Sequence, residues 1–446
     1  MLHFLAVDAE TGRPRHPALT EGELEEIARS NAAPERGPGV TIAPGRLEEA
    51  GWGVVFAHGT DDAVRRALEP LLERRRTQAG ELYGQWSYVR RRGRGAFESR
   101  LRTAPGPTNP RRLPYYLLLV GDPTEIPHGF QFGLDAQHAV GRLSFERPED
   151  YARYAESVVA AETASPHPAP RLALFGFAHD DDPATDECLE HLVEPLTRNL
   201  ERRFTGNGQG GPIELFTRER ASRERLLEGL ADPRSPLIFT AGHAVCYVPG
   251  HPDQPRRQGA LVCSDWPGHA AGAPTAEQVV EARSLPPGSG LRGKILFHFG
   301  CYTAGTPERD SFDTAPRPED RPQIAERPFV ADLPRALLAH PGGGALAVVG
   351  HVDRAFPSAF RWHDFHQSEI FEEALAALLS GHPVGHALDG FGQRYADLAR
   401  RAWEAETHPG DGEADAPPAS HVWTAANDAR GYVILGDPAV RLPGAG

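Results

Sequence analysis

Two stretches of this chain end an apolar run in a side chain able to do acyl chemistry. Leu237-Ile238-Phe239-Thr240-Ala241-Gly242-His243 places an imidazole just past a strand-like segment, with small residues before it. Ile295-Leu296-Phe297-His298-Phe299-Gly300-Cys301 does the same with a thiol, and Tyr302-Thr303-Ala304-Gly305 follows. A free thiol with a pKa of about 8.5 is only slightly ionised at neutral pH, and an adjacent imidazole raises that fraction or shuttles the proton. The same ring can then protonate a leaving amine. Ligands of open parallel sheets bind beyond the carboxyl ends of the strands, so two such residues on neighbouring strands would face one cleft. The flanking glycines let a substrate backbone come close and leave N–H groups for an oxyanion.

Other chemistries compete for the same residues. A strand-end cysteine can be an inert buried thiol, and with 20 histidines chance proximity is easy. A zinc site would draw on His243, Cys301 and His298 or His351, but His298 and Cys301, three apart on a strand, point to opposite faces. Nucleotide binding fails more clearly. There is no Walker-type phosphate loop, and Gly342-Gly343-Gly344 precedes a strand instead of opening a helix. The 4 cysteines, Cys188, Cys246, Cys263 and Cys301, form no CxxC pair and are too scattered for a disulfide framework. Cys246 and Cys263 read as small apolar fillers. The chemistry so read requires no cofactor and no metal.

The elements that must position His243 and Cys301 alternate strand with helix, the mark of an α/β sheet with crossover helices. Strands are expected at 52–58, 115–120, 137–143, 171–177, 213–217, 236–240, 259–263, 294–299, 345–349 and 432–435. Helices are expected at 60–76, 147–163, 185–204, 222–230 and 333–339, with a helical stretch over 365–404 interrupted at Gly381-His382-Pro383. Arginines crowd residues 74–102 (Arg74, Arg75, Arg76, Arg90, Arg91, Arg92, Arg94, Arg100, Arg102), and a Pro-rich run to Pro114 follows. This region reads as a solvated loop open to proteolysis. Residues 409–418 have the composition of a disordered linker.

With 446 residues, 40% hydrophobic and 24% charged, the chain is globular and long enough for one large α/β unit with an appendage. Its 61 acidic against 47 basic residues give a net charge of −14, which argues against a general nucleic-acid or anionic-membrane binder. No apolar run reaches about 18 residues, and the N-terminus meets Asp8 before a signal-type apolar core can form. A cytoplasmic protein with reduced thiols is the expectation.

At these residues the sequence resembles the caspase-fold cysteine peptidases, the clan of caspases, gingipains, clostripain, separase and bacterial CHAT-type proteases. The strand-ending Gly242-His243, and Cys301 ending a strand 58 residues later in the form Gly-Cys-x-x-Ala-Gly, match the clan's two motifs. Leu117–Pro127, Ala139–Leu143 and the closing Ile434–Leu442 are similar to parts of gingipain-type domains. The likeness covers residues 115–442. It implies an α/β, caspase-like fold with a mainly parallel sheet flanked by helices, and an N-terminal α/β subdomain. The expected layout is an N-terminal region with an Arg-rich loop over 1–110 and a peptidase domain over 111–442. Within the latter, 111–165 is the gingipain-like first part, 166–360 the catalytic core, 361–420 a helical insertion and linker, and 421–442 the closing strand.

The resemblance implies a cysteine endopeptidase with Cys301 as nucleophile and His243 handling the proton. The backbone N–H groups of Ala244 and Cys301 are the expected oxyanion donors, although the clan usually has glycine where Ala244 stands. Acidic S1 residues of Arg- or Lys-specific members suggest Asp135 and Asp265 as pocket candidates for a basic P1 residue. The caspase form Gln-Ala-Cys-x-Gly is absent, so aspartate specificity has no support. Expected partners are a protein or peptide substrate and an upstream activating protease, in a bacterial defence or regulated proteolytic cascade. The aperiodic loop 306–329 reads as a substrate wall or activation loop. A catalytically silent interaction module of the same fold and a metal-dependent hydrolase are the competing readings.

Overall fold

The computed structural model describes residues 6–14, 18–20, 22–23, 43–89, 109–164, 170–205, 211–288, 290–313, 315, 317–362, 365–407 and 418–444. Its centre is a sheet of 10 strands, numbered here along the chain: β1 Trp52–Ala57, β2 Tyr83–Tyr88, β3 Tyr116–Val120, β4 Ala139–Leu143, β5 Leu172–Gly176, β6 Ile213–Thr217, β7 Leu237–Ala241, β8 Ile295–Phe299, β9 Ala347–His351 and β10 Tyr432–Gly436. Their spatial order is β2-β1-β3-β4-β10-β9-β8-β7-β5-β6. Every neighbouring pair is parallel except β9 and β10, which run antiparallel with His351 opposite Tyr432. The α/β fold class expected from the sequence is the one observed. The sheet is two parallel blocks set back to back, so the carboxyl edge of β5–β9 is the amino edge of β4 and β10.

Most of these strands are continuous apolar runs because both faces of the sheet are covered. Val54, Phe56, Leu118 and Val120 point into the larger core, while their neighbours Val55, Ala57, Leu117 and Leu119 pack on the other face with Leu134 of the helix His128–Asp135. The helices Asp62–Ala79 and Pro148–Thr163 pack together over the first block. The helices Glu369–Leu379, Val384–Ala387 and Asp389–Thr407 occupy the expected helical stretch from 369 and run past its end at 404, residues 365–366 being a short strand instead, and Ala419–Ala429 packs on the last helix. A small second sheet joins Ala6–Asp8, Ala244–Cys246, Leu261–Val262 and Val279–Val280. No helix among the described residues is long and apolar enough to cross a membrane.

The arginine-rich loop requires correction over its first part. The helix expected at 60–76 runs from Asp62 to Ala79 and takes in Arg74, Arg75 and Arg76, so the loop begins later, and residues 83–88 are the unexpected strand β2. Arg90 to Arg102 and the run to residue 108 lie outside the described residues, as do residues 409–417 of the expected linker. Arg75 is not a surface charge at all. It is buried, with its guanidinium on Glu162 (2.6 Å) and Asp437 (2.6 Å). Asp437 also accepts the Trp52 indole N–H at 2.9 Å, and the Tyr154 hydroxyl accepts its backbone N–H at 2.6 Å. The turn after β10 thereby pins β1 and two helices of the first block. It passes so close over β4 that a Cβ on Gly141 would lie 2.1 Å from the Gly436 carbonyl oxygen.

Removing one partner of a buried ion pair strands the other charge away from water. Arg75→Met should therefore destabilise the protein by about 3–5 kcal/mol, read as a lower urea midpoint by circular dichroism. A shift below about 1 kcal/mol, the size of a surface pair, would show that the guanidinium does not hold these carboxylates together.

Candidate active site

Three neighbouring strands deliver the site. β8, β7 and β5 are consecutive in the sheet, parallel, and in register, with Ala241 of β7 opposite both Phe299 of β8 and Gly176 of β5. Their chains therefore leave the sheet at one line. His243 follows β7 by two residues and Cys301 follows β8 by two, as expected from the sequence, while β5 continues through Phe177, Ala178 and His179 to Asp182. Gly242 donates its N–H to the Phe299 carbonyl at 3.1 Å, which locks the two strand ends together. It must be glycine, since a Cβ there would sit 2.8 Å from that of Phe177.

His243 and Asp182 are 1% and 3% exposed, and Cys301 is 0% exposed. His243 Nε2 hydrogen-bonds to Asp182 Oδ2. An ionised carboxylate only accepts, so Nε2 carries the proton and Nδ1 keeps the lone pair. That Nδ1 is buried with no hydrogen-bond partner among the described residues. Burial alone would push the Asp182 carboxyl up. The charge and hydrogen bond of His243, with His269 and His179 beside it, outweigh burial and hold the carboxyl below its ordinary value. Asp182 is itself fixed as the N-cap of the helix Pro183–Cys188, with Oδ1 accepting the Ala184 N–H at 3.1 Å.

Around this pair stands an aromatic wall. The His179 ring stacks near-parallel on His243 with centroids 6.0 Å apart, and Trp266 meets both edge-on. His179 Nδ1 lies 2.8 Å from the Trp266 carbonyl oxygen, so it carries the ring's proton. Burial, followed by the His243 charge, pushes this imidazole down to about 4. Asp182 and His179 escape a search for motifs. The signal for Asp182 was present nonetheless, since Asp180-Asp181-Asp182 follows an apolar strand at the same sheet edge.

Cys301 is sealed. Its Sγ lies 3.3 Å from the Ala355 backbone N and 3.8 Å from the Ala355 carbonyl oxygen. The segment carrying Ala355 is tied to the loop after Cys301 by the Arg354–Asp310 ion pair and by the Tyr302 N–H on the Asp353 carbonyl at 2.8 Å. Asp353 and Tyr302 hold φ of 98° and 60°, a costly region for side chains larger than glycine. Asp428 Oδ1 accepts the Phe356 N–H at 2.9 Å from beneath. The long loop expected at 306–329 is closed at its base by a short ribbon, Gly305–Thr306 against Phe329–Val330.

The other expected site residues are placed differently. Ala244 is buried in the small sheet, paired parallel with Ala6 and antiparallel with Leu261. Asp265 is exposed, and its carboxylate accepts the Arg223 N–H at the start of the helix Arg223–Ala231. Asp135 lies on the same sheet edge as Cys301, but it precedes β4, which is separated from β8 by β9 and β10. At the usual strand spacing that is about 14 Å. Its carboxyl borders a cavity of about 30 Å³ with Phe132, His138 and Tyr395, room for water but not for an arginine side chain. Burial pushes that carboxyl well above its ordinary value. His298 and His351, the alternative zinc ligands, bond instead to Thr240 Oγ1 at 2.8 Å and to the Asp428 carbonyl at 2.9 Å.

No protein-family model matches the chain, and no curated protein matches it in sequence. Among solved structures it resembles one described as a protease, with a TM-score of 0.51 at 12% identity over 88% of this chain and 78% of that one. A complex of the pro- and mature domains of RgpB from Porphyromonas gingivalis gives 0.48 at 12% identity, covering 88% and 80%. The Arg-specific cysteine proteinase gingipain R gives 0.44 at 13%, covering 90% and 80%. The likeness is one of fold. The observed architecture, a mainly parallel sheet flanked by helices, agrees with the α/β fold class that the sequence implied.

One carboxyl of the seal over Cys301 is shifted by its surroundings. Burial raises the Asp428 carboxyl to about 6, with His351 pulling the other way. The folded protein then holds this proton where the unfolded chain has lost it, so stability from this group is full below pH 4 and declines as pH rises through 6. Asp428→Asn keeps an acceptor for Phe356 and cannot ionise. Relative to wild type it should gain about 2–3 kcal/mol between pH 4 and pH 7 in urea titrations, whereas a constant difference across that range would contradict the assignment.

Proposed function

We propose that the protein is a cysteine endopeptidase working through Cys301 and His243. The observation that carries this reading is the state of the His243 ring, held by Asp182 through Nε2 with Nδ1 unpartnered among the described residues, just past the strand that pairs with β8, which Cys301 follows. In the proposed reaction Nδ1 takes the Cys301 thiol proton and the thiolate attacks a peptide carbonyl. The imidazolium, stabilised by Asp182, then protonates the departing amine and leaves a thioester for water to hydrolyse. The backbone N–H groups of Cys301 and Ala244 are the proposed oxyanion donors.

The substrate is a polypeptide, and the chain is latent in the closed form described. Support for latency is the burial of both residues and the Ala355 contact, which a substrate must displace. Opening by an upstream protease fits this state, as in a regulated or defensive proteolytic cascade. Arg74–Arg76 are unsuited to such a cut because they are helical. A basic P1 preference is part of the proposal and rests on neither Asp135 nor Asp265 as placed. A silent interaction module keeps the fold without the turnover.

The test is cleavage of fluorogenic peptides bearing Arg, Lys, Asp, Leu or Ala at P1, before and after limited trypsin treatment. Cys301→Ala and His243→Ala should abolish turnover, and Asp182→Asn should lower kcat by about 10²–10⁴-fold with little change in KM. Turnover surviving in Cys301→Ala overturns the mechanism. Silence of the opened wild-type protein favours the interaction module.

A further inference from the structure

Asp182 serves two imidazoles. Oδ2 holds His243 Nε2, while His269 Nε2 stands 3.6 Å from Oδ1. His269 Nδ1 lies 2.8 Å from the Gly12 carbonyl oxygen, which can only accept. The proton of a neutral His269 is therefore on Nδ1, and its Nε2 turns a lone pair toward a carboxylate oxygen. Two acceptors facing each other beyond hydrogen-bond distance call for a positive charge between them. A backbone carbonyl that fixes the proton on one ring nitrogen and frees the other is also the usual preparation of a metal-ligating histidine. The ligand atoms of Asp182, His243 and His269 all lie within 4.8 Å of one another. The loop bearing His269 is held in place independently, by its own N–H and that of Ala270 on the Asp181 carboxylate, each at 3.1 Å.

We propose that Asp182, His243 and His269 bind a divalent cation of zinc type, and that binding switches the Cys301 chemistry off. Two imidazoles and one carboxylate suit a borderline cation such as Zn²⁺ better than calcium or magnesium, which favour all-oxygen shells. The switch is a matter of tautomers. Coordination through His243 Nε2 moves that nitrogen's proton to Nδ1, with no net change in protons on the ring. Nδ1 then becomes a donor and cannot accept the Cys301 proton. The ion inhibits without touching sulfur. This inference rests on His243 being the proposed base, but the metal site can be read without activity.

Zinc binding is measured by competition with a chromophoric chelator and by the visible spectrum of substituted Co²⁺, using wild type and Cys301→Ala. One ion should bind to each with equal affinity. His269→Ala should weaken it by roughly 100-fold or more, beyond the loss typical of an outer partner. His269→Gln should do the same, and added zinc should raise the melting temperature of Cys301→Ala but of neither His269 variant. Where turnover is measurable, zinc should inhibit wild type reversibly. The zinc concentration for half-inhibition, each variant against its own zinc-free rate, should rise in step with the affinity loss. Failure of wild type to bind, or binding that requires Cys301, overturns the proposal. A wild type that binds zinc through His269 but never cleaves a peptide supports the metal site and counts against the peptidase reading.

Discussion

The register of three parallel strands governs everything else in this molecule. Ala241 lies between Phe299 and Gly176 in the ladder, so β8, β7 and β5 stop level with one another. A parallel sheet sends each chain back through a crossover, which leaves the carboxyl ends free of hairpins and open to chemistry. Cys301, His243 and Asp182 stand just beyond those ends. His243 and Asp182, far apart in sequence, meet because backbone hydrogen bonds set the strand spacing, and Gly242 removes the Cβ that would push β7 away from Phe177.

The first block of the sheet contributes rigidity of another kind. β10 enters antiparallel to β9 and ends in Gly436-Asp437-Pro438, where Asp437 gathers Arg75, Trp52 and Ala439. Three donors on one buried carboxylate compensate its lost hydration, and each belongs to a different part of the chain. The Gly436-Asp437-Pro438 turn thus has a structural role that involves no catalysis.

Much of the site was legible beforehand because its signals are local. An apolar run followed by Gly-His or Gly-Cys announces a strand end with a reactive side chain, and both occur where the motifs put them. What stayed hidden depends on partners distant in sequence. Asp182 follows an apolar strand, yet only the placement of β5 beside β7 singles it out among 61 acids. Arg75 reads as a solvated charge because helix periodicity does not reveal that Asp437 lies beneath it. β2 was hidden by its polar alternation, Tyr-Gly-Gln-Trp-Ser-Tyr, which suits an edge strand with one face less covered. The antiparallel entry of β10 leaves no trace in composition at all.

The closed state is itself a balance of unfavourable terms. Asp353 and Asp428 are buried acids whose carboxyls are raised to about 6 by burial, and Asp353 also sits at positive φ. Arg354 offsets part of that cost by pairing with Asp310. A segment that carries strain and partly compensated charge is easier to displace than one packed by aliphatic side chains. This one lies directly on the Cys301 sulfur. The core beneath it, with Phe299 and Phe297 each in ring contact with Phe371, carries no such strain. In the proposed reading, opening would uncover the thiol while the three strand ends stay fixed.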